Sequence, residues 1–189
     1  MARMKSLPES AGVMDVLKRF PAGAWQLCEF HDIKLREESP LSVGERELIA
    51  AYVSGLNACH FCYGAHKTIA EVHDMDAGIF DKLVEDPALA GVDEKLLPIL
   101  AYVKKLTLTP SRMSDEDAEA VYAAGWDEQA LYDAVVVCAL FNFMNRIVDG
   151  CGVKPSKGGP SPEMKDRLKR TKDSRETYRN GARAMGLAP

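Results

Sequence analysis

The chain has 189 residues, 47% of them hydrophobic and 28% charged, with a net charge of −4, which is enough for one domain with a full core. No uninterrupted run of 18 apolar residues occurs, and no apolar stretch follows the N-terminal charges, so neither a membrane span nor a signal peptide is expected. The expectation is a cytoplasmic protein. The charge is uneven: residues 161–189 hold eight Lys/Arg against four Asp/Glu. Its signs are interspersed, as in Lys165-Asp166-Arg167, which reads as a solvated helix or an oligomer-docking arm rather than a nucleic-acid surface.

Helical periodicity runs through nearly the whole chain. An amphipathic stretch from Val13 to Phe20 stops at Pro21, and a second runs from about Ala22 to Glu38. Ser42 with Glu45 forms a capping-box pattern for a third helix, whose stripe is Leu48, Ala51, Tyr52, Gly55 and Leu56. Asn57 is taken as the N-cap of a fourth helix carrying Cys59 to Glu71. Further helices are predicted over Ala77–Val84, Glu94–Leu106 and, capped by Ser114, up to Gly125. Asp127 caps a long helix to about Asp149, apolar on most sides, as a central or interface helix should be. A Gly/Pro/Ser linker over 150–162 leads to a basic tail helix at about 161–185. No alternating stretch reads as a strand. The fold expected is all-α, a single helical bundle. Sliding Arg46–Tyr63 by 83 positions onto Gln129–Arg146 aligns Cys59 and Cys62 with Asn142 and Asn145, a possible duplicated helix pair resting on three identities.

Five cysteines, an odd number, do not form a disulfide framework. The informative stretch is Cys59-His60-Phe61-Cys62-Tyr63-Gly64-Ala65-His66. With Asn57 as cap, Cys59, Cys62 and His66 share one helix face near its N-terminus. A helix N-terminus stabilises a thiolate, which favours Cys59, whereas His66, one turn on, favours Cys62. Glu47 is either a solvated surface residue or a carboxylate that orients His66 and receives a proton through it. In the second case its replacement by Gln leaves the fold intact.

Other readings of the pair fit less well. Haem attachment needs His directly after the second Cys, where Tyr63 stands. Zinc needs a fourth ligand beside Cys59, Cys62 and His66; His60, His73, Cys28 and His31 are the choices, and a single helix crowds the first three. A thioredoxin-type motif follows a strand, and none is predicted. Two inert buried cysteines remain an alternative.

Glu47 to His66, Glu-Leu-Ile-Ala-Ala-Tyr-Val-Ser-Gly-Leu-Asn-Ala-Cys-His-Phe-Cys-Tyr-Gly-Ala-His, resembles the active-site signature of the AhpD-like alkylhydroperoxidases. These belong to the carboxymuconolactone decarboxylase superfamily, and the likeness is greatest to its peroxidase-related branch. Ala139 to Arg146 is also similar to that branch, and the resemblance spans about Pro21 to Val153. It implies an all-α homo-oligomer in which Cys62 attacks a hydroperoxide, Cys59 resolves the sulfenic acid as a disulfide, and Glu47 and His66 relay the proton. It implies neither metal nor cofactor, and a dithiol or thiol protein as electron donor. A disulfide reductase and a non-catalytic redox sensor are the other functions open to such a chain. Two departures stand out. Phe61 replaces the His that AhpD proteins carry before the second Cys, and His60 would point about 100° away from that position. The motif also lies in the first half of the chain rather than the second.

Overall fold

The computed structural model describes residues 3–156 and 159–188, so positions 157 and 158 of the linker and the extreme termini lie outside the description. Among the described residues the architecture is all-α: nine α-helices and three short 3-10 turns, with no strand. The helices are α1 (Val13–Arg19), α2 (Ala24–Arg36), α3 (Val43–Leu56), α4 (His60–Val72), α5 (Leu97–Leu108), α6 (Asp115–Ala123), α7 (Glu128–Cys151), α8 (Pro162–Arg170) and α9 (Thr177–Ala184). The three capping predictions at Ser42, Ser114 and Asp127 hold, the Asp127 side chain accepting from the Ala130 N–H at 2.8 Å. Ala77–Val84 is shorter and tighter than predicted, a 3-10 turn over Ala77–Asp81.

Helices α3 and α4 form an antiparallel hairpin that carries the motif. The start of α3 lies on the end of α4: a Cβ at Gly44 would sit 2.7 Å from the His73 carbonyl oxygen. At the other end a Cβ at Gly55 would collide with Val84. Glycine at 44 lets the start of α3 close on the end of α4, and glycine at 55 leaves room for Val84, which follows the 3-10 turn.

The turn between them corrects the predicted cap. The Ala58 N–H bonds to the Gly55 carbonyl and the Cys59 N–H to the Ser54 carbonyl, both at 2.9 Å, the paired closure of a Schellman motif. Ala58 takes the left-handed position (φ 55°) that glycine usually fills. Asn57 is therefore the C-cap of α3, and Cys59 becomes the N-cap of α4. Cys62 moves to the third helical position.

α7 packs on α3 and α5 as the central helix, burying Leu131, Ala134, Val137, Leu140, Phe141 and Met144. By length and mean hydropathy it is apolar enough to cross a bilayer, although Asp133 interrupts its apolar run. Over half of that window is buried inside the protein, as in any core helix. The predicted duplication does not appear as a helix pair: positions 46–63 span α3, the turn and the start of α4, whereas 129–146 lie within α7 alone.

The basic tail forms two helices rather than one. α8 buries none of its residues, but α9 docks on α2. The fully buried Asp32 carboxylate accepts from the Tyr178 N–H (2.9 Å), the Arg179 N–H (2.8 Å) and Arg179 Nε (3.1 Å). It thus caps the second and third residues of α9 from another helix, where the helix dipole also favours a negative charge. Asp32→Ala is expected to cost about 2–3 kcal/mol by orphaning these donors. Limited proteolysis should then cut the 171–188 segment faster than in the parent, with a lower Tm.

Candidate active site

The motif helix brings Cys62 and His66 to one face, and the hairpin sets Glu47 of α3 against them. Glu47 is fully buried, not solvated. Its Oε2 meets His66 Nδ1 at 2.5 Å, and its Oε1 accepts from Arg36 Nη1 at 2.6 Å. Arg36, at the end of α2, is itself buried and donates also to the Leu35 carbonyl. Burial alone would raise the Glu47 pKa. The Arg36 charge, then that of His66, and the hydrogen bonds from both outweigh it, bringing the group down to about 2. The carboxylate is therefore ionised across the whole range in which the protein works, and the orienting geometry allowed by the sequence is realised.

The two thiols are unequal. Both are buried, Cys59 fully and Cys62 to 4% exposure. Cys59 donates to the Cys62 sulfur, and this bond is the largest influence lowering the Cys62 pKa; burial opposes it, while a positive charge on His66 and a hydrogen bond from Asn145 add to it. The same bond raises Cys59, with burial acting in the same direction. The Cys62 backbone N–H, in the first turn of α4, favours the Cys59 sulfur instead, and opposes that rise without reversing it. The competition left open by the sequence thus falls to Cys62 as the more acidic thiol.

Asn145 lies on α7 and links the motif to the central helix. Its amide donates to Ser54 Oγ at 3.0 Å, and its Oδ1 accepts from Asn57 Nδ2 at 3.0 Å; Asn57 reaches Asn142 Oδ1 as well, at 3.1 Å. Val16 of α1, with Val148 and Val153, packs around the cysteines. A cavity of about 460 Å³ opens beside the first turn of α4, lined by Ala58, His60, Phe61, Asp149 and Val153 among others.

The proposed extra zinc ligands do not converge. His60 lines that cavity, His73 ends α4 at the far side, and Cys28 belongs to a separate cluster with Leu17 and Ala24. His31 turns its Nδ1 to the Leu27 carbonyl at 2.8 Å and its ring to Phe141 and Tyr178. Among the described residues no group of three or more His, Cys, Asp or Glu side chains is disposed to hold a metal ion. Cys28 and Cys138 are both pushed up by burial, as expected of inert core thiols.

Arg36, Asn145 and Asp32 were not named as site residues from sequence. Asn145 carried two signals, its alignment with Cys62 in the internal comparison and its place in the Ala139–Arg146 stretch that resembles the peroxidase-related branch. Arg36 and Asp32 carried none, since a charged residue near the end of an amphipathic helix ordinarily faces water.

No protein-family model and no curated protein matches the chain. Solved structures do. One described as an alkylhydroperoxidase AhpD core, an uncharacterized peroxidase-related protein from Ralstonia eutropha JMP134, superposes with a TM-score of 0.73 at 22% identity, over 83% of this chain and 80% of that one. An uncharacterized peroxidase-related protein from Silicibacter sp. TM1040 gives 0.67 at 21% identity, over 86% of this chain and 94% of that one. At such identities the likeness concerns architecture: the chain has the all-α AhpD-like fold.

Acid sensitivity follows from the buried groups. Burial lowers the His31 pKa to about 4, against its bond to the Leu27 carbonyl. The unfolded chain takes up this proton near pH 6.5 and the folded one only near 4. Stability is therefore full above that window and falls as the pH drops through it. Glu47, lowered, behaves likewise in a more acidic window, from about 4.5 down to about 2. His31→Gln should flatten the decline of Tm between pH 6.5 and 4 while leaving the steeper loss below 4 in place; melting curves across that range check it.

Proposed function

We propose that the protein is a thiol-dependent peroxidase that reduces hydrogen peroxide or organic hydroperoxides through a Cys59–Cys62 dithiol/disulfide cycle. The observation that carries this reading is the buried Arg36–Glu47–His66 chain set against the helix face that bears Cys62, with the Cys62 thiol pushed down chiefly by Cys59 and also by His66. The neighbours in fold, one described as an alkylhydroperoxidase AhpD core and both as peroxidase-related, support the same chemistry.

In this mechanism Cys62 gives its proton to His66 and attacks the terminal peroxide oxygen as thiolate. The S–O bond forms as the O–O bond breaks, sulfur is oxidised by two electrons, and the departing alkoxide or hydroxide takes the proton from His66. Cys59 then attacks the sulfenic acid, forming the disulfide and releasing water, and an external dithiol restores both thiols. Glu47, ionised and paired with Arg36, serves this cycle by holding the His66 ring and stabilising its charged form rather than by accepting the proton itself. Burial of both sulfurs favours a small oxidant at Cys62 over a bulky disulfide substrate, and so favours peroxidase over disulfide reductase.

Cys59→Ser should leave a sulfenic acid on Cys62 that dimedone labels, and Cys62→Ser should give no adduct at all; an adduct on Cys59 in the second variant reverses the roles. In the parent at neutral pH, iodoacetamide should modify Cys62 ahead of Cys28, Cys59 and Cys138. Glu47→Gln should slow sulfenic acid formation by roughly 10²-fold. It should also destabilise the fold by about 3 kcal/mol, contrary to the expectation from sequence, because it strands a buried guanidinium at Arg36. Replacing Arg36 by Met in the same chain should recover much of the stability without recovering the rate.

We also propose a homo-oligomer built on the outer face of α7. Phe143 is 51% exposed there, beside Phe20 and Phe30 around an apolar groove of about 690 Å³. Light scattering at micromolar concentration should give a multiple of 20.8 kDa.

A further inference from the structure

The cavity of about 460 Å³ beside the first turn of α4 has no part in the oxidative half of the cycle. Its lining includes Ala58 and His60, the neighbours of Cys59 on either side in the chain, together with Phe61 and Val153. Phe61 and Val153 also pack against the two cysteines, so one layer of apolar side chains separates the cavity from the sulfurs. The groups that act on Cys62 from beyond the pair, His66 and Asn145, are not among its lining residues. The cavity therefore lies on the Cys59 side of the pair, away from the imidazole that serves the peroxide.

Reduction of a Cys59–Cys62 disulfide needs an entry on one side or the other. The rate of thiol–disulfide exchange depends on access to the attacked sulfur and on the leaving thiol, the one of lower pKa leaving faster. Cys62 is held down to about 7, whereas its bond to Cys62 and burial push Cys59 up. Access and leaving group thus agree: the entering thiol attacks Cys59 and Cys62 departs.

Size and charge define what enters. The volume falls within the range of small-molecule pockets, about 300–1,000 Å³. Cys59 is fully buried, out of reach of a cysteine held on the surface of a folded partner. Two exposed cations, Arg3 and Lys154, line the cavity against one carboxylate, Asp149. The Arg3 N–H is bonded to the Cys151 carbonyl at 2.9 Å, which keeps that residue at the cavity. An excess of positive charge attracts an anionic molecule and favours its thiolate.

We propose that this cavity is the binding site of the reductant, a small anionic thiol that attacks the Cys59 sulfur and expels Cys62 as thiolate. This rests on the dithiol/disulfide cycle of the peroxidase reading. The first thiolate forms an S–S bond to Cys59 as the Cys59–Cys62 bond breaks. A second thiol, free or on the same molecule, then attacks the reductant's sulfur, releases it as a disulfide, and Cys59 leaves and takes a proton. The two thiols together supply the two electrons and two protons that the protein disulfide takes up.

The test starts from the full-length chain oxidised with one equivalent of diamide, which makes the disulfide without peroxide. After brief exposure to 2-mercaptoethanesulfonate and quenching with N-ethylmaleimide, peptide mapping should place the mercaptoethanesulfonate on Cys59 and the maleimide on Cys62. The anionic thiol should reduce the protein faster than cysteamine, a cationic thiol of similar size. Lys154→Glu, an exposed substitution, should lower that rate ratio by about tenfold at low ionic strength, and salt should shrink the difference. Reduced thioredoxin at equal concentration should be no faster than 2-mercaptoethanesulfonate.

An adduct on Cys62 overturns the inference, as does a rate ratio that Lys154→Glu leaves unchanged. Faster reduction by thioredoxin overturns it too, by showing that a protein thiol reaches the pair. If diamide forms no Cys59–Cys62 disulfide, this inference and the cycle fall together. A chain that meets every expectation here yet consumes no hydroperoxide upholds the inference and overturns the peroxidase reading alone.

Discussion

A carboxylate buried between a guanidinium and an imidazole organises this molecule. Glu47 comes from α3, Arg36 from α2 and His66 from α4, so the charge chain joins three helices that hydrophobic contact alone would leave free to slide. Burying any one of these charges singly would be expensive, and the two direct contacts make burying all three tolerable. Removing one partner leaves the others uncompensated, so the chain acts as a unit. Arg46, next to Glu47 on α3, adds a lock by donating to the Lys34 carbonyl of α2 at 3.0 Å. Tyr178 lies over Arg36, which extends the dependence to α9.

The turn before the motif has a similar economy. By closing α3 in a Schellman motif with Ala58 left-handed, the chain restarts a helix within two residues. That leaves Cys59 as cap and Cys62 in the first turn, close enough for the Cys59 thiol to donate to the Cys62 sulfur. Had Asn57 capped the helix, the register would have started two residues earlier and both thiols would have lain deeper in it. Asn145, reaching in from α7 to Ser54 and the Cys62 sulfur, holds the turn against the central helix. The surroundings of one sulfur are thus drawn from the turn, α4 and α7.

The C-terminal segment shows how composition can mislead. Its interspersed charges describe α8, which buries no residue fully and has only Leu168 half-buried. α9 shares that composition, yet the Asp32 carboxylate draws its N-terminus into the protein and Ala182 is fully buried. α7 misleads in the opposite sense, apolar enough for a membrane and occupied with core packing. Its polar residues settle the matter locally: Asp133 accepts from Ser39 and Gln129, and Asn142 donates to Thr107.

The sequence by itself determined the helical class, the capping box at Ser42, the caps at Ser114 and Asp127, and the sharing of one helix face by Cys62 and His66. These are local properties: a repeat of 3.6 residues and a side chain within three residues of the amide it caps are written in adjacent letters. The motif spacing also singled out Glu47, but not its surroundings. Only the tertiary structure decided that Glu47 is buried rather than solvated, that Arg36 neutralises it from 11 positions away, and that Asn145 and Tyr178 approach from 83 and 112 residues beyond Cys62 and His66. It also decided which thiol is acidic. Charge burial and pKa depend on what surrounds an atom in space, and helices packed on one another gather those surroundings from segments whose separation along the chain carries no trace of the contact.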